Sequence, residues 1–110
     1  MAFKLVVRNK LRVPVKGTLK DENGKPVAFD FTLLCARLSQ AEIDKAIKDK
    51  DESVEDFVKR VAQGWESVLD EGGQPLEFGA DTLAEVLDQA GMPVVCYQSY
   101  IKEVGAVAKN

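Results

Sequence analysis

The sequence predicts a single α+β domain, spanning residues 1–110, in which an N-terminal antiparallel β-hairpin packs against about four α-helices. Apolar and polar residues alternate on both sides of a turn sequence at residues 21–25, which is the pattern of two half-buried strands. Apolar residues then recur at helical spacing in four later segments. A chain of 110 residues has room for one such domain.

The register of the hairpin follows from its alternation. Odd positions are mostly apolar over residues 12–20 and again over residues 27–35. Opposed residues of an antiparallel pair share a face, so odd positions must oppose odd positions. A two-residue Asn23–Gly24 loop fails this test, whereas a three-residue Glu22–Gly24 loop with a left-handed glycine satisfies it. The predicted pairs are Leu19–Val27, Val15–Phe31, Val13–Leu33 and Lys16–Asp30.

The pattern of apolar and polar residues does not determine the secondary structure at the start of the chain. Residues 3–8 are a candidate for a short third strand, and the order of residues 1–10 stays open at this stage. Pro14 cannot donate a hydrogen bond to a neighbouring strand, which indicates that the first strand of the hairpin lies at an edge or begins near Pro14.

Helix signals mark the rest of the chain. Ser39 and Glu42 form a capping box, Ser53 opens a second helix with a stripe reaching Trp65, and a third helix spans about residues 81–89. Pro93 suits the first turn of the last helix. Its predicted stripe is Val94, Tyr97, Ile101, Val104 and Ala108, with Cys96, Tyr100 and Val107 off the stripe. An apolar character on more than one side indicates a partner or deeper burial.

The composition argues against catalysis. The chain has no histidine, which removes the usual general base near neutral pH and the commonest transition-metal ligand. Cys35 and Cys96 alone do not make a structural zinc site, and no P-loop, dinucleotide or calcium-loop motif is present. We therefore expect no enzymatic activity, no metal and no cofactor, and we expect both cysteines to be free thiols.

Charge and hydropathy bear on location and partners. The first twenty residues contain six basic and no acidic residues, although the net charge of the whole chain is −3. This basic segment has almost no interleaved aromatic residues, so we expect no nucleic-acid binding. Apolar runs are far shorter than a membrane-spanning helix requires. We therefore expect no membrane association and a cytoplasmic location.

A series of short motifs runs along nearly the whole chain. They are Arg12–Val15 and Phe29–Phe31 in the hairpin, the helix start Leu38–Glu42, then Gly64–Asp70, Gly73–Phe78, Thr82–Leu87, Gly91–Pro93 and Tyr97–Ile101. This series resembles the tail assembly chaperones of long-tailed (siphovirus-type) bacteriophages and related prophages. One departure is Gly79–Asp81, where a Ser or Thr cap is more usual in such a position. Residue types of this kind hold a fold together and mark no active site.

The resemblance implies a protein of the host bacterial cytoplasm that is absent from the mature virion. Such a chaperone binds the tape-measure protein, keeps it soluble and helps to recruit tail-tube subunits. It is expected to form a homo-oligomer and, in many such phages, to have a frameshift-extended form as a further partner. Two other classes stay open, which are a small acidic inhibitor or immunity-type protein and a structural tail-completion or connector protein.

Candidate partner-binding residues lie on the last helix. Coating an amphipathic helix requires an apolar surface rimmed by charge and present in many copies. The residues off the main stripe and beside it are candidates for contacts with a partner or a second copy. They are Tyr97, Tyr100, Ile101 and Val107. The alternative is that they complete the core.

Overall fold

The computed structural model describes residues 9–106 and confirms the predicted α+β class. Seven elements follow one another in this part of the chain. They are β1 (Lys10–Lys20), β2 (Pro26–Ala36), α1 (Gln40–Lys48), α2 (Val54–Val61), β3 (Ala62–Glu66), α3 (Ala80–Leu87) and α4 (Met92–Val104). The three strands form an antiparallel sheet in the order β1-β2-β3, so that β2 is central.

The predicted register of the β1–β2 hairpin is confirmed. Leu19 pairs with Val27, Val15 with Phe31, Val13 with Leu33 and Lys16 with Asp30. The turn is the three-residue loop with Gly24 at φ 79°, and the Asp21 N–H donates to the Lys25 carbonyl oxygen at 2.9 Å. The Asp21 carboxylate also accepts the N–H groups of Asn23 and Lys25, at 2.8 and 2.9 Å. Backbone and side-chain hydrogen bonds therefore both stabilise the conformation of this turn.

The core lies on one face of the sheet. Odd positions of β1 and β2 point into it, and α2, α3 and α4 supply the other side. Its buried members are Leu11, Val13, Val15, Phe31, Leu33, Cys35, Phe57, Val58, Val61, Leu83, Leu87, Met92, Cys96 and Tyr100. On the opposite face, the Arg12 guanidinium and the Glu66 carboxylate form an exposed ion pair across β2.

Two predicted helix starts are confirmed at their caps. The Ser39 hydroxyl accepts the Glu42 N–H at 3.2 Å, and the Glu42 carboxylate accepts the Ser39 N–H at 3.1 Å. At the start of α2 the Ser53 hydroxyl accepts the Asp56 N–H at 3.1 Å. Despite its good start, α1 buries no side chain fully, and Ile47 is 61% exposed.

The predicted end of the second helix is wrong. The predicted stripe extends to Trp65, but α2 ends at Val61 and the next five residues form β3. Gly64 weakens the case for a helix there, and Trp65 pairs with buried Leu33 on the open side of β2. Tertiary pairing therefore overrides the helical spacing. The candidate strand at residues 3–8 lies outside the described residues.

The buried side of α4 also differs from the prediction. Met92, Cys96 and Tyr100, spaced four residues apart, face the core. Val94, which the predicted stripe includes, is 47% exposed, and the remaining described members of that stripe are half-buried. The reason is that α4 packs on both β1 and α2, so the side between these two contacts is the most deeply buried. Ala108 lies outside the described residues.

Candidate functional site

An open groove of about 1070 Å³ lies at the turn end of the hairpin. One wall is the end of β2 together with Leu19, a second is the loop after β3, and the third is the end of α3. The lining residues used below are Leu19, Val27–Phe31, Ser67–Gly72, Leu76, Glu85, Val86, Gln89 and Met92.

The groove exists because the chain leaves the sheet after β3. Ser67 has a φ of 67°, a left-handed conformation that an ordinary residue adopts at a cost of about 1 kcal/mol. The pairing of β3 with β2 ends at Glu66, directly before this residue. A second small hairpin follows, in which Leu69 pairs with Pro75. The space between that hairpin and the end of β2 is the groove.

The second hairpin repeats the turn of the first one. The Asp70 N–H donates to the Gln74 carbonyl oxygen at 2.8 Å, and Gly73 has a φ of 79°. The Asp70 carboxylate accepts the N–H groups of Gly72 and Gln74, both at 2.9 Å. This loop is therefore held by the same bonds as the Asp21 turn, and it forms a defined wall.

Trp65 anchors the second hairpin to the sheet. Its indole Nε1–H donates to the Leu76 carbonyl oxygen at 2.7 Å. Its ring lies edge-on to the Phe78 ring, with 5.1 Å between centroids. A hydrogen bond and an aromatic contact therefore fix the position of the wall that carries Leu69.

Large apolar side chains remain accessible inside the groove. Val27 is 51% exposed and Leu69 is 58% exposed, and both line the groove, Val27 from β2 and Leu69 from the loop after β3. Five more apolar residues of the lining are half-buried, namely Leu19, Phe29, Val68, Leu76 and Val86. Covering such side chains contributes roughly 25 cal/mol per Å² of apolar surface removed from water. The groove is therefore an energetically useful contact surface.

Every ionisable side chain that lines the groove is acidic. These are Asp30, Asp70, Glu71 and Glu85. Walls of low dielectric constant with charges of one sign concentrate the electrostatic potential in the space between them. The chemistry that complements the groove is therefore an apolar segment that carries lysine or arginine.

One wall of the groove is also an open strand edge. β3 pairs with β2 only from Thr32 to Cys35, and residues 27–31 of β2 have no strand on that side within residues 9–106. An unpaired edge offers backbone N–H and carbonyl groups to another extended chain. The groove therefore offers main-chain partners as well as apolar side chains and negative charge.

The residues that the sequence singled out lie elsewhere. Tyr100 is 1% exposed, and its hydroxyl donates to the Ala36 carbonyl oxygen at 2.8 Å and accepts the Leu38 N–H at 3.1 Å. Its placement fits the alternative that it completes the core. Tyr97 and Ile101 are half-buried beside it, so partner binding there stays a prediction. Val107 lies outside the described residues.

The lining of the groove was not singled out from the sequence. One signal was present, because Leu69 is an apolar residue directly before the turn Asp70–Gly73. An apolar residue at the mouth of a polar turn has little local packing to bury it. The groove itself depends on residues from β2 and α3 that are distant in sequence, and no local pattern indicates that they meet.

The two thiols belong to the core rather than to the groove. Cys35 and Cys96 are free and buried, as expected, and burial raises the pKa of each thiol to about 12. Both thiols are therefore protonated near neutral pH and are poor nucleophiles. No three His, Cys, Asp or Glu side chains within residues 9–106 are placed to hold a metal ion.

Comparisons with known proteins identify no relative. A scan against protein-family models found no match, and neither did searches of curated proteins and of solved structures. In the part of the chain that the structure describes, no helix has the length and apolar character needed to cross a membrane.

Proposed function

We propose that this protein is a tail assembly chaperone of a long-tailed bacteriophage or prophage, which acts by binding and not by catalysis. In the host cytoplasm it binds the tape-measure protein, keeps it soluble and helps to recruit tail-tube subunits. The observation that supports this proposal best is the groove, whose lining is apolar and whose ionisable groups are all acidic. The motif series described above supports the choice of client.

The groove suits a client that aggregates. Val27 and Leu69 are both exposed in the lining of the groove, so an apolar segment bound there covers these two side chains and is itself shielded from water. Asp30 and Glu85 favour clients with basic residues next to that segment. Because the acidic groups suit several basic sequences, this arrangement favours many weak contacts along a long client over one exact fit.

Capture of the tape-measure protein tests the proposal. The variant Leu69→Glu places a charge in the groove and removes a large apolar contact. We expect it to lose at least about tenfold in affinity, since burying a leucine side chain contributes about 1.5–3 kcal/mol. The assay is co-expression of the two proteins, followed by affinity capture and a measurement of how much client stays soluble.

Ile47→Glu is the matched control. Ile47 is about as exposed as Leu69 but lies on α1, outside the groove. We expect this variant to capture the client as the parent protein does, and circular dichroism checks that both variants are folded. Equal capture by Leu69→Glu and the parent protein would refute the assignment of the groove, and a parent protein that fails to solubilise the client would refute the function.

A further inference from the structure

The edge of β2 that borders the groove has no partner strand from Val27 to Phe31. β3 pairs only with Thr32–Cys35 and ends at Glu66. Within residues 9–106 no other strand lies on that side of β2, and no turn or loop forms a backbone hydrogen bond with Ala28 or Asp30. The backbone groups on this side of residues 27–31 are therefore available to another extended chain.

The hydrogen-bonding pattern of the hairpin identifies these groups. The Asp21 N–H donates to the Lys25 carbonyl oxygen, so these two residues form a hydrogen-bonded pair. Such pairs alternate with non-bonded pairs along an antiparallel ladder. In the observed register, odd positions of β1 and β2 therefore bond to each other, and even positions direct their backbone groups outward. Ala28 and Asp30 thus each offer one N–H and one carbonyl oxygen to the open edge.

The two outer edges of the hairpin differ in their protection. On β1 one outward-facing position is Pro14, which has no N–H to offer. Four more even positions of β1 are basic, namely Lys10, Arg12, Lys16 and Lys20. Proline and lysine are the residues that natural edge strands use to prevent another strand from adding. Residues 27–31 of β2 contain neither, so this edge is left open to pairing.

The side chains of β2 leave the open edge accessible. The Phe29 ring lies over Gly17, its partner on β1, where an added Cβ would be 2.6 Å from the ring. The ring therefore leans toward β1 and away from the open edge. Ala28 has a small side chain, and both Ala28 and Asp30 are exposed. An incoming strand can therefore reach the backbone of both residues.

The groove selects the side chains of such a strand. Opposed residues of paired strands share a face, so residues opposite Val27 and Phe29 lie on the core side of the sheet, where apolar side chains line the groove. A residue opposite Asp30 lies on the other face, where a basic side chain forms a favourable cross-strand pair. Every ionisable group in the lining is acidic, which also favours a basic segment. The complementary sequence therefore alternates apolar residues with lysine or arginine.

We propose that Val27–Phe31 is a strand-addition site, which takes an extended segment of alternating apolar and basic residues from a partner protein. The segment runs antiparallel to β2, in line with β3. Its affinity comes from main-chain bonds to Ala28 and Asp30, and its specificity comes from the alternate side chains. The inference rests on the proposed function only where it assigns this segment to the tape-measure protein.

A synthetic peptide tests the site without the client. The probe is a seven-residue peptide in which lysine alternates with valine and both ends are lysine, with acetyl and amide caps. Amide hydrogen exchange measured by NMR should show fast exchange at Ala28 and Asp30 in the free protein. At a peptide concentration about ten times the dissociation constant, exchange at both amides should slow by about tenfold. The amides of Val27, Phe29 and Phe31 bond to β1 and serve as internal controls, slow throughout.

Other occupants of the edge give different results in the same measurement. Protection of Ala28 and Asp30 that rises with the concentration of the protein alone would assign the edge to a second copy. Protection at every concentration would show that the chain covers its own edge. Either result would overturn the proposal. A peptide with glutamate in place of each lysine should bind at least about tenfold more weakly, and equal binding would overturn the specificity for basic segments.

Methylation of the peptide backbone separates strand addition from charge attraction. In the antiparallel arrangement the lysine N–H groups face β2 and the valine N–H groups face away. Methylating the lysine backbone nitrogens should therefore weaken binding by at least about tenfold, because it removes the donors and adds bulk at the contact. Methylating the valine backbone nitrogens adds the same group on the outer side and should leave binding within about threefold. Equal affinity of the two methylated peptides, or the reverse order, would overturn the proposal.

A pair of proline variants tests the edge from the side of the protein. Ala28→Pro removes an outward N–H and places a ring at the open edge, and it should weaken peptide binding by about tenfold or more. Thr18→Pro is the matched control, because Thr18 is the partner of Ala28 and faces the outer edge of β1. Neither change removes a hydrogen bond between β1 and β2, and circular dichroism compares the two folds. Equal peptide binding by two folded variants would overturn the site, and the methylated peptides test the same edge on the parent protein.

Client capture distinguishes this inference from the proposed function. If both are correct, Ala28→Pro captures less tape-measure protein than Thr18→Pro does. Peptide binding with the expected protection, in a parent protein that fails to solubilise the client, would refute the function and leave the strand-addition site standing. Client capture by the parent protein, without protection of Ala28 and Asp30 by the peptide or by the client, would refute the site and leave the function standing.

Discussion

Replacing Tyr100 by phenylalanine removes a single hydroxyl from the core. This hydroxyl donates to the Ala36 carbonyl oxygen at 2.8 Å and accepts the Leu38 N–H at 3.1 Å. Ala36 ends β2 and Leu38 lies just before α1, so the hydroxyl fastens α4 to the connection between these elements. The Tyr100 ring packs edge-on against Phe57 with 5.5 Å between centroids, and a phenylalanine ring keeps that contact.

The expected cost comes from the two backbone groups that lose their partner. An unsatisfied buried donor or acceptor costs about 1–3 kcal/mol, and the low end applies here because both bonds are only partly buried. We therefore expect the free energy of unfolding to fall by about 2 kcal/mol. For a chain of 110 residues the unfolding entropy is about 0.23 kcal/mol/K, so Tm falls by about 9 °C.

Urea denaturation followed by circular dichroism measures this change, with Tyr97→Phe as the matched control. Tyr97 also packs edge-on against Phe57, at 5.3 Å, but it is half-buried and its hydroxyl makes no hydrogen bond within residues 9–106. Its replacement should change the free energy of unfolding by less than about 0.5 kcal/mol. Equal stability of Tyr100→Phe and the parent protein would refute the structural role of the two bonds.

Two further predictions concern the buried thiols and the second turn. Burial raises the pKa of Cys35 and Cys96 from 9.0 to about 12, so well below pH 9.0 both the folded and the unfolded state keep the protons. At higher pH only the unfolded state releases these protons, so the free energy of unfolding falls by about 1.4 kcal/mol per pH unit for each thiol. Urea denaturation from about pH 9 to pH 11 should therefore show a smaller loss of this free energy in the Cys35→Ala/Cys96→Ala variant than in the parent protein. The same dependence on pH in both proteins would contradict this prediction. Gly73→Ala should lower the free energy of unfolding by about 1 kcal/mol, because Gly73 has a φ of 79°. The backbone conformation is the only cause, since the added Cβ has no atom within 4 Å. Gly72→Ala, whose Cβ would lie an ordinary 3.4 Å from the Asp70 carboxylate, should cost less than about 0.5 kcal/mol, and equal losses in thermal denaturation would contradict the turn geometry.

The β1–β2 hairpin was predictable because its information is local. The alternation of apolar residues and the need for both apolar faces to coincide leave one register, and Gly24 supplies the left-handed residue that this register requires. The helix starts at Ser39 and Ser53 were also predictable, because each capping hydrogen bond joins residues only three positions apart.

Two predictions from local spacing were wrong, namely the end of the second helix and the buried side of α4, because more than one structure is compatible with the same spacing of apolar residues. Val61, Ala62 and Trp65 suit a helical stripe, yet Trp65 belongs to β3 because the free edge of β2 offers it a partner in Leu33. On α4, two apolar stripes lie side by side, and contact with both β1 and α2 selects the one through Cys96. In both cases the decisive contact comes from a residue distant in the chain.

The amino-acid sequence by itself determined the α+β class, the hairpin register and two helix starts, since each depends on neighbours within a few residues or on matching apolar faces. It also determined that the chain has no histidine. Only the tertiary structure decided that β3 stops short of residues 27–31 and that the end of β2, the Asp70 turn and the end of α3 line one groove. A groove is a space between distant segments, so its position follows from packing and not from any local pattern.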